Sequence, residues 1–149
     1  MSLKAWRLSH ARWADTALSG EGASRYPGRW NRSGERMVYL SSSLALAVLE
    51  MRVQLEVTAT QQPYLALEFE LPAELVADAP TRPENWRQDR ELTREIGSRW
   101  LQARASLALR VPSVIIPAEP NYLLNPHHPE LPRVQLLRQL DFTWDERLF

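Results

Sequence analysis

Four side chains of this sequence could together hold a charged nucleotide and break a glycosidic bond. Arg29 supplies a cation, within Gly28-Arg29-Trp30-Asn31. Tyr39 supplies a phenol, in a short β-prone run over 37–41. Glu50 supplies a carboxylate, directly after the apolar run 44–49 of a predicted helix. Ser113 supplies a hydroxyl, in Val111-Pro112-Ser113-Val114-Ile115-Ile116-Pro117. A guanidinium held by rigid neighbours pairs with phosphate oxygens, and Gly28 permits close approach of a ligand to the backbone. Each residue also has a plainer reading. Arg29 suits a surface turn anchored by Trp30, and Tyr39 a core aromatic with a satisfied hydroxyl. Ser113 suits a chain reversal after Pro112, and Glu50 a structural ion pair with Arg7 or Arg29. The coincidence of all four favours chemistry.

The elements that must position them follow from periodicity. A first strand is expected over 4–9, then a connection over 10–36 that holds four of the five glycines. Long ordered connections of this kind are often functional. Ser42 or Ser43 can cap a helix running to about residue 57. Its apolar stripe is Leu44, Val48, Met51 and Leu55, and Arg52 and Glu56 form an i,i+4 pair on the wet face. Glu50 falls with Leu46, Val53 and Val57, away from the wet face, so its carboxylate needs a partner. Residues 63–71 alternate as a strand, with Leu65, Leu67, Phe69 and Leu71 on one face. The proline-rich stretch 72–86 reads as loop or short turns, and 89–105 as a second amphipathic helix bearing Leu92, Ile96, Trp100 and Ala103. Strands are expected at 107–111, 113–116 and 134–143, with 120–132 a loop rich in Asn, His and Pro. Strands separated by helices at irregular intervals indicate an α+β fold.

Composition narrows the functions. The 149 residues suit one domain, 1–149, with a real hydrophobic core. There is no cysteine, which excludes a disulfide scaffold, a thiolate metal site and a cysteine nucleophile. Lys+Arg and Asp+Glu number 18 each, so no bulk charge steers the chain to nucleic acid or to anionic lipid. Apolar runs are far shorter than a membrane span and the N-terminus carries no signal peptide, so a cytoplasmic protein is expected. His127 and His128 are adjacent and cannot both face one metal from a regular element, so no metal site is expected. Neither of the standard glycine-rich nucleotide cradles is present, nor a Gly-x-Ser-x-Gly elbow.

Gly28-Arg29-Trp30-Asn31, Tyr39-Leu40-Ser41, the helix bearing Glu50, Val111-Pro112-Ser113 and Asn121-Tyr122-Leu123-Leu124-Asn125-Pro126-His127, in this order and spacing, resemble the RES domain. The likeness runs from Trp6 to Phe149. It implies a toxin of a bacterial RES–Xre toxin–antitoxin module with an ADP-ribosyltransferase-like fold: two small antiparallel sheets packed together, with helices around them. It implies NAD as substrate rather than cofactor, cleaved at the nicotinamide–ribose bond by hydrolysis or phosphorolysis. The alternative is mono-ADP-ribosyl transfer to a host protein. The implied partner is an Xre-type helix-turn-helix antitoxin covering the active site, and a homodimer is left open. Glu50, Arg29, Tyr39 and Ser113 would be the catalytic set, with Arg7, Asn31 and Asn125 joining Arg29 and Tyr39 in substrate binding. The bond itself explains a single carboxylate. Nicotinamide leaves NAD as a neutral base, so no general acid is required, unlike ordinary glycoside hydrolysis. The oxocarbenium-like ribosyl cation needs a nearby negative charge, which Glu50 would provide.

Overall fold

The structure, a computed structural model, describes residues 1–55 and 61–149. Seven strands form it: β1 (Ser2–His10), β2 (Val38–Ser41), β3 (Tyr64–Pro72), β4 (Val76–Asp78), β5 (Ala108–Pro112), β6 (Pro120–Leu124) and β7 (Gln135–Phe142). Three α-helices accompany them: α1 (Glu21–Arg25), α2 (Leu44–Arg52) and α3 (Arg90–Ala103). The fold is α+β. Among the described residues no helix is long and apolar enough to cross a membrane.

The strands form one sheet in the order β4-β5-β6-β2-β1-β3-β7, which corrects the expectation of two separate sheets. It is not wholly antiparallel either, since β4 runs parallel to β5. The reason lies in the middle. β1 and β2 share a single register pair, Trp6↔Ser41, whereas β1 and β3 pair along their full nine residues. Two halves are therefore joined at one point. Both halves contribute to one core cluster, which takes Ala5, Leu67, Phe69 and Leu71 from one side and Val38, Leu40, Ala108, Tyr122 and Leu124 from the other.

β3 alternates as expected. Leu67, Phe69 and Leu71 enter that core, while Tyr64 and Ala66 face the opposite way, into a cluster with Trp6, Leu8 and Trp144. Leu44, Val48 and Met51 of α2, with Leu55 just beyond it, cover this second cluster. Ser43 caps α2 by accepting from the Leu46 amide at 3.1 Å. The helix ends at Arg52, so Val53 is exposed rather than grouped with Glu50. Val57 and Glu56, expected on α2, lie outside the described residues. Arg52 stacks over Phe149, 4.1 Å from the ring centroid.

Three further expectations are corrected. Residues 113–116 turn rather than extend, because the Ser113 hydroxyl accepts from the Ile115 and Ile116 amides at 3.1 and 3.0 Å. β6 lies within the stretch expected to be loop, and β4 within the proline-rich segment. The long connection 10–36 carries a 3₁₀ turn, Ala11–Thr16, and the short α1.

Candidate active site

The Arg29 turn is held rigidly from two sides. From β2, the Tyr39 hydroxyl donates to Asn31 Oδ1 at 2.7 Å and accepts from the Trp30 amide at 3.0 Å. The Gly28 amide donates to the same Asn31 oxygen at 2.9 Å. A Cβ on Gly28 would lie 2.7 Å from the Tyr39 hydroxyl, so this glycine makes room for Tyr39 rather than for a ligand. From α3, Thr93 Oγ1 donates to the Arg29 carbonyl at 2.7 Å and Arg94 Nε to the Gly28 carbonyl at 3.1 Å. Gly97 lets α3 approach: a Cβ there would sit 1.7 Å from the Trp30 carbonyl oxygen. The fifth glycine, which lies outside the long connection, is thus the one this contact requires.

The turn presents Arg29 beside three more arginines. Arg29 Nη1 donates to the Arg87 carbonyl at 2.9 Å. Arg90 and Arg94 lie one turn apart on α3, and Arg90 opens the helix, where the backbone dipole is already positive. Burial, then the charges of Arg90 and Arg94, push the Arg29 guanidinium pKa down, while Glu50 pulls it back up. Among the described residues none of these four arginines has a carboxylate within ion-pair distance. An anion would be welcome there. Nothing in the sequence links Arg29 to Arg87, on the 3₁₀ turn Glu84–Gln88, or to Arg90 and Arg94 on α3, about 60 residues downstream.

Glu50 reaches from α2 to the far half of the sheet. Asn121 Nδ2 of β6 donates to its Oε2 at 2.7 Å, and the Ser113 hydroxyl donates to its Oε1 at 3.4 Å. No cation lies within ion-pair distance among the described residues, which corrects the structural ion pair considered from sequence. Burial pushes the Glu50 pKa up; the bonds from Asn121 and Ser113 and the charge of Arg29 act against that shift. The arrangement is a half-buried carboxylate held by neutral donors, near an excess of unneutralised arginines. It can stabilise a positive centre at Glu50 while holding an anionic group at the arginines.

The other expected residues are placed as follows. Tyr39 belongs to the turn through its hydroxyl, and burial pushes its phenol pKa well up. Arg7 Nη1 donates to the Tyr39 carbonyl at 3.0 Å, across the seam where β1 and β2 part, while its buried Nε has no partner. Burial pushes the Arg7 pKa down. Asn31 is fully buried, and its amide nitrogen donates to the carbonyls of Ala23, Arg32 and Glu35. Asn125 directly follows β6, four residues after Asn121, donating to the Leu101 carbonyl of α3 and accepting from the His127 amide. Asn31 and Asn125 are therefore spent on protein contacts. Arg29, Glu50 and Ser113 are brought into one region, together with the unanticipated Asn121. Two surface cavities, of about 330 and 280 Å³, lie elsewhere, near Glu74 and Arg133 and near Leu18 and Leu136.

Comparison with known proteins agrees in fold and extent. The chain is 40% identical over 147 residues to "Toxin Res" of Pseudomonas putida, covering 97% of this chain and 98% of that protein. It is 34% identical over 157 residues to "Prs ADP-ribosylating toxin" of Sphingobium sp., covering 99% and 98%. Its fold superposes with a TM-score of 0.78 on a chain of the Mycobacterium tuberculosis MbcT–MbcA toxin–antitoxin complex, at 19% identity, over 96% of this chain and 85% of that one. The RES domain pattern matches residues 4–145, and the protein belongs to the RES domain family.

Proposed function

We propose that this protein is the toxin of a toxin–antitoxin pair and acts by breaking the nicotinamide–ribose bond of NAD. The observation that carries the reading is Glu50: a half-buried carboxylate with two neutral donors and, among the described residues, no paired cation. Keeping a charge uncompensated is costly, and it suits a group whose counter-charge arises only during reaction. As nicotinamide departs with the bonding electron pair, the ribosyl carbon becomes positive and Glu50 faces it. Arg29, supported by Arg87, Arg90 and Arg94, binds the pyrophosphate, and the rigid turn keeps that charge in place before substrate arrives. Ser113 orients Glu50 through its hydroxyl. Water or inorganic phosphate then takes the ribosyl cation. Incubating purified protein with NAD, with and without phosphate, and resolving the products tests this. Free nicotinamide with ADP-ribose or its phosphorylated form is expected, and intact NAD after long incubation would overturn it.

A second reading, transfer of ADP-ribose to a host protein, is favoured by the full-length relative named an ADP-ribosylating toxin. Labelled NAD with cell extract separates the two, since transfer leaves label on a protein band. The partner follows from the same reading. An Xre-type helix-turn-helix antitoxin covers the site, so expression of this chain alone arrests growth and lowers cellular NAD. Co-expression of the partner restores both.

A further inference from the structure

Asn121 is the site's unassigned group. It lies in β6, in register with Ser41 of β2 and Val111 of β5, and is 7% exposed. Its Nδ2 faces Glu50 Oε2 at 2.7 Å. Chemistry fixes that orientation, because the reversed amide would set its oxygen against a carboxylate oxygen with no proton between them. Oδ1 must therefore point away from Glu50, and there it is buried with no donor. Buried amide oxygens are almost always bonded. Asn31 and Asn125, equally buried, have both ends of their amides occupied. Only at Asn121, beside the uncompensated carboxylate, is the acceptor left over among these three.

We propose that Asn121 is a substrate-contacting residue, its Nδ2 positioning Glu50 and its Oδ1 accepting a hydrogen bond from a hydroxyl of the ribose whose glycosidic bond is broken. This rests on the NAD reading above. A ribose carries two vicinal hydroxyls, each able to donate. A carboxylate and an amide oxygen, linked through the bond that Asn121 Nδ2 donates, offer two acceptors for that pair. One hydroxyl binds Glu50, and its neighbour binds Asn121. The site thereby selects ribose over deoxyribose at this position.

The two ends of the amide are separable by substitution. Asn121→Leu removes both. Asn121→Asp keeps Oδ1 and replaces the donor facing Glu50 with a second carboxylate oxygen. Each variant and the parent are assayed with NAD and with its 2′- and 3′-deoxy analogues on the nicotinamide ribose, after thermal melting has established that they fold. Asn121→Leu is expected to lower kcat/KM for NAD by about tenfold or more. It is also expected to erase the parent's preference for NAD over one of the two analogues. The acid limb of its pH profile should move up, because Asn121 no longer holds the Glu50 pKa down. Among the described residues Arg29 is the charged group felt by Glu50, and the other facing groups, Ser113 and Asn121, are neutral. Asn121→Asp should keep the parental preference while turnover falls and the acid limb rises, as two adjacent carboxylates share a proton. A folded Leu variant with parental preference and acid limb overturns the inference. If the Leu variant does not fold, the Asp variant decides, and parental turnover with a parental acid limb overturns it. A parent that leaves NAD intact overturns the reading above and this inference with it. An active parent with indifferent variants overturns this inference alone.

Discussion

Glu50 and Glu68 are both carboxylates facing inward, and the protein treats them oppositely. Glu68, in β3, is 7% exposed and bonded at 3.0 Å to Arg138 Nε, whose guanidinium also lies over the Trp6 ring. That is the ordinary solution for a buried charge: a cation opposite, held in place by packing. Among the described residues Glu50 has only Asn121 and Ser113 as donors, and the charge of Arg29 is close enough to be felt but not to pair. The difference is the one the proposed function requires, between a charge that completes the fold and one that a ligand would compensate. The arginines repeat the lesson on α3. Arg32 is neutralised by Glu91 and Glu95 on one side of that helix, whereas among the described residues Arg90 and Arg94, beside Arg29, have no carboxylate within ion-pair distance.

The comparison breaks most sharply at Glu50→Gln. The variant keeps shape and most hydrogen bonding but loses the charge. Turnover of NAD should fall by about 10²-fold or more, with NAD affinity and folding kept. Because no ion pair is lost, the destabilisation expected on breaking a buried pair does not apply. Near-parental turnover in a folded variant would exclude the catalytic role.

Arg29 and Arg32 give the next largest contrast. Arg29→Gln removes a guanidinium from the group without carboxylate partners, and KM for NAD should rise by roughly 10–100-fold, the range for a lost hydrogen bond to a charged group. Arg32→Gln removes a half-exposed guanidinium already spent on Glu91 and Glu95, and KM should stay put. Equal effects of the two on KM would show that the cluster around Arg29 holds no special anion site.

How far these contrasts could be read from sequence depends on the residue. The inward position of Glu50 was legible from helical period, because α2 buries the stripe Leu44, Val48, Met51 and Leu55 and leaves Glu50 off the wet face. Glu68 was hidden by a strand whose two faces both enter cores, so the alternation marks neither as polar. β6 has the look of a loop because Asn121 within it and Asn125 and Pro126 just beyond it are turn-formers, yet its Tyr122-Leu123-Leu124 end is buried between β2 and β5. Asn121 bonds Glu50 across 71 residues of chain, and only the register Ser41↔Asn121 brings them together. The run 113–116 looked like strand from its apolar residues, but the Ser113 hydroxyl captures two amides and turns it. A three-residue parallel strand such as β4 carries too few residues for any periodicity.

Glu68→Gln tests the other side of the first comparison. It leaves Arg138 without its carboxylate, and folding stability should drop by on the order of 1 kcal/mol, modest because Arg138 is half-exposed and screened. Turnover per folded molecule should match the parent. Loss of turnover at a temperature where the variant is fully folded would undo the division of the two carboxylates into structural and catalytic.

The smallest effect is a pH dependence, and its sign discriminates. Burial holds the Glu50 carboxyl pKa above its ordinary value of 4.5, so the folded state binds that proton more tightly than the unfolded chain does. A raised carboxyl pKa contributes stability below the unfolded value and loses it as pH rises through the folded value. At neutral pH the ionised Glu50 therefore lowers stability, whereas Gln at that position does not titrate. Melting temperatures of Glu50→Gln and the parent, measured from pH 4 to 8, should diverge in favour of the variant as pH rises past about 4.5 and then level off. The parent's turnover should climb through the same window, because in the proposed reaction only the ionised carboxylate would stabilise the ribosyl cation. A variant that loses ground to the parent as pH rises would mean that Glu50 is held by a cation after all, as Glu68 is by Arg138, and would remove the physical basis for assigning it the reaction.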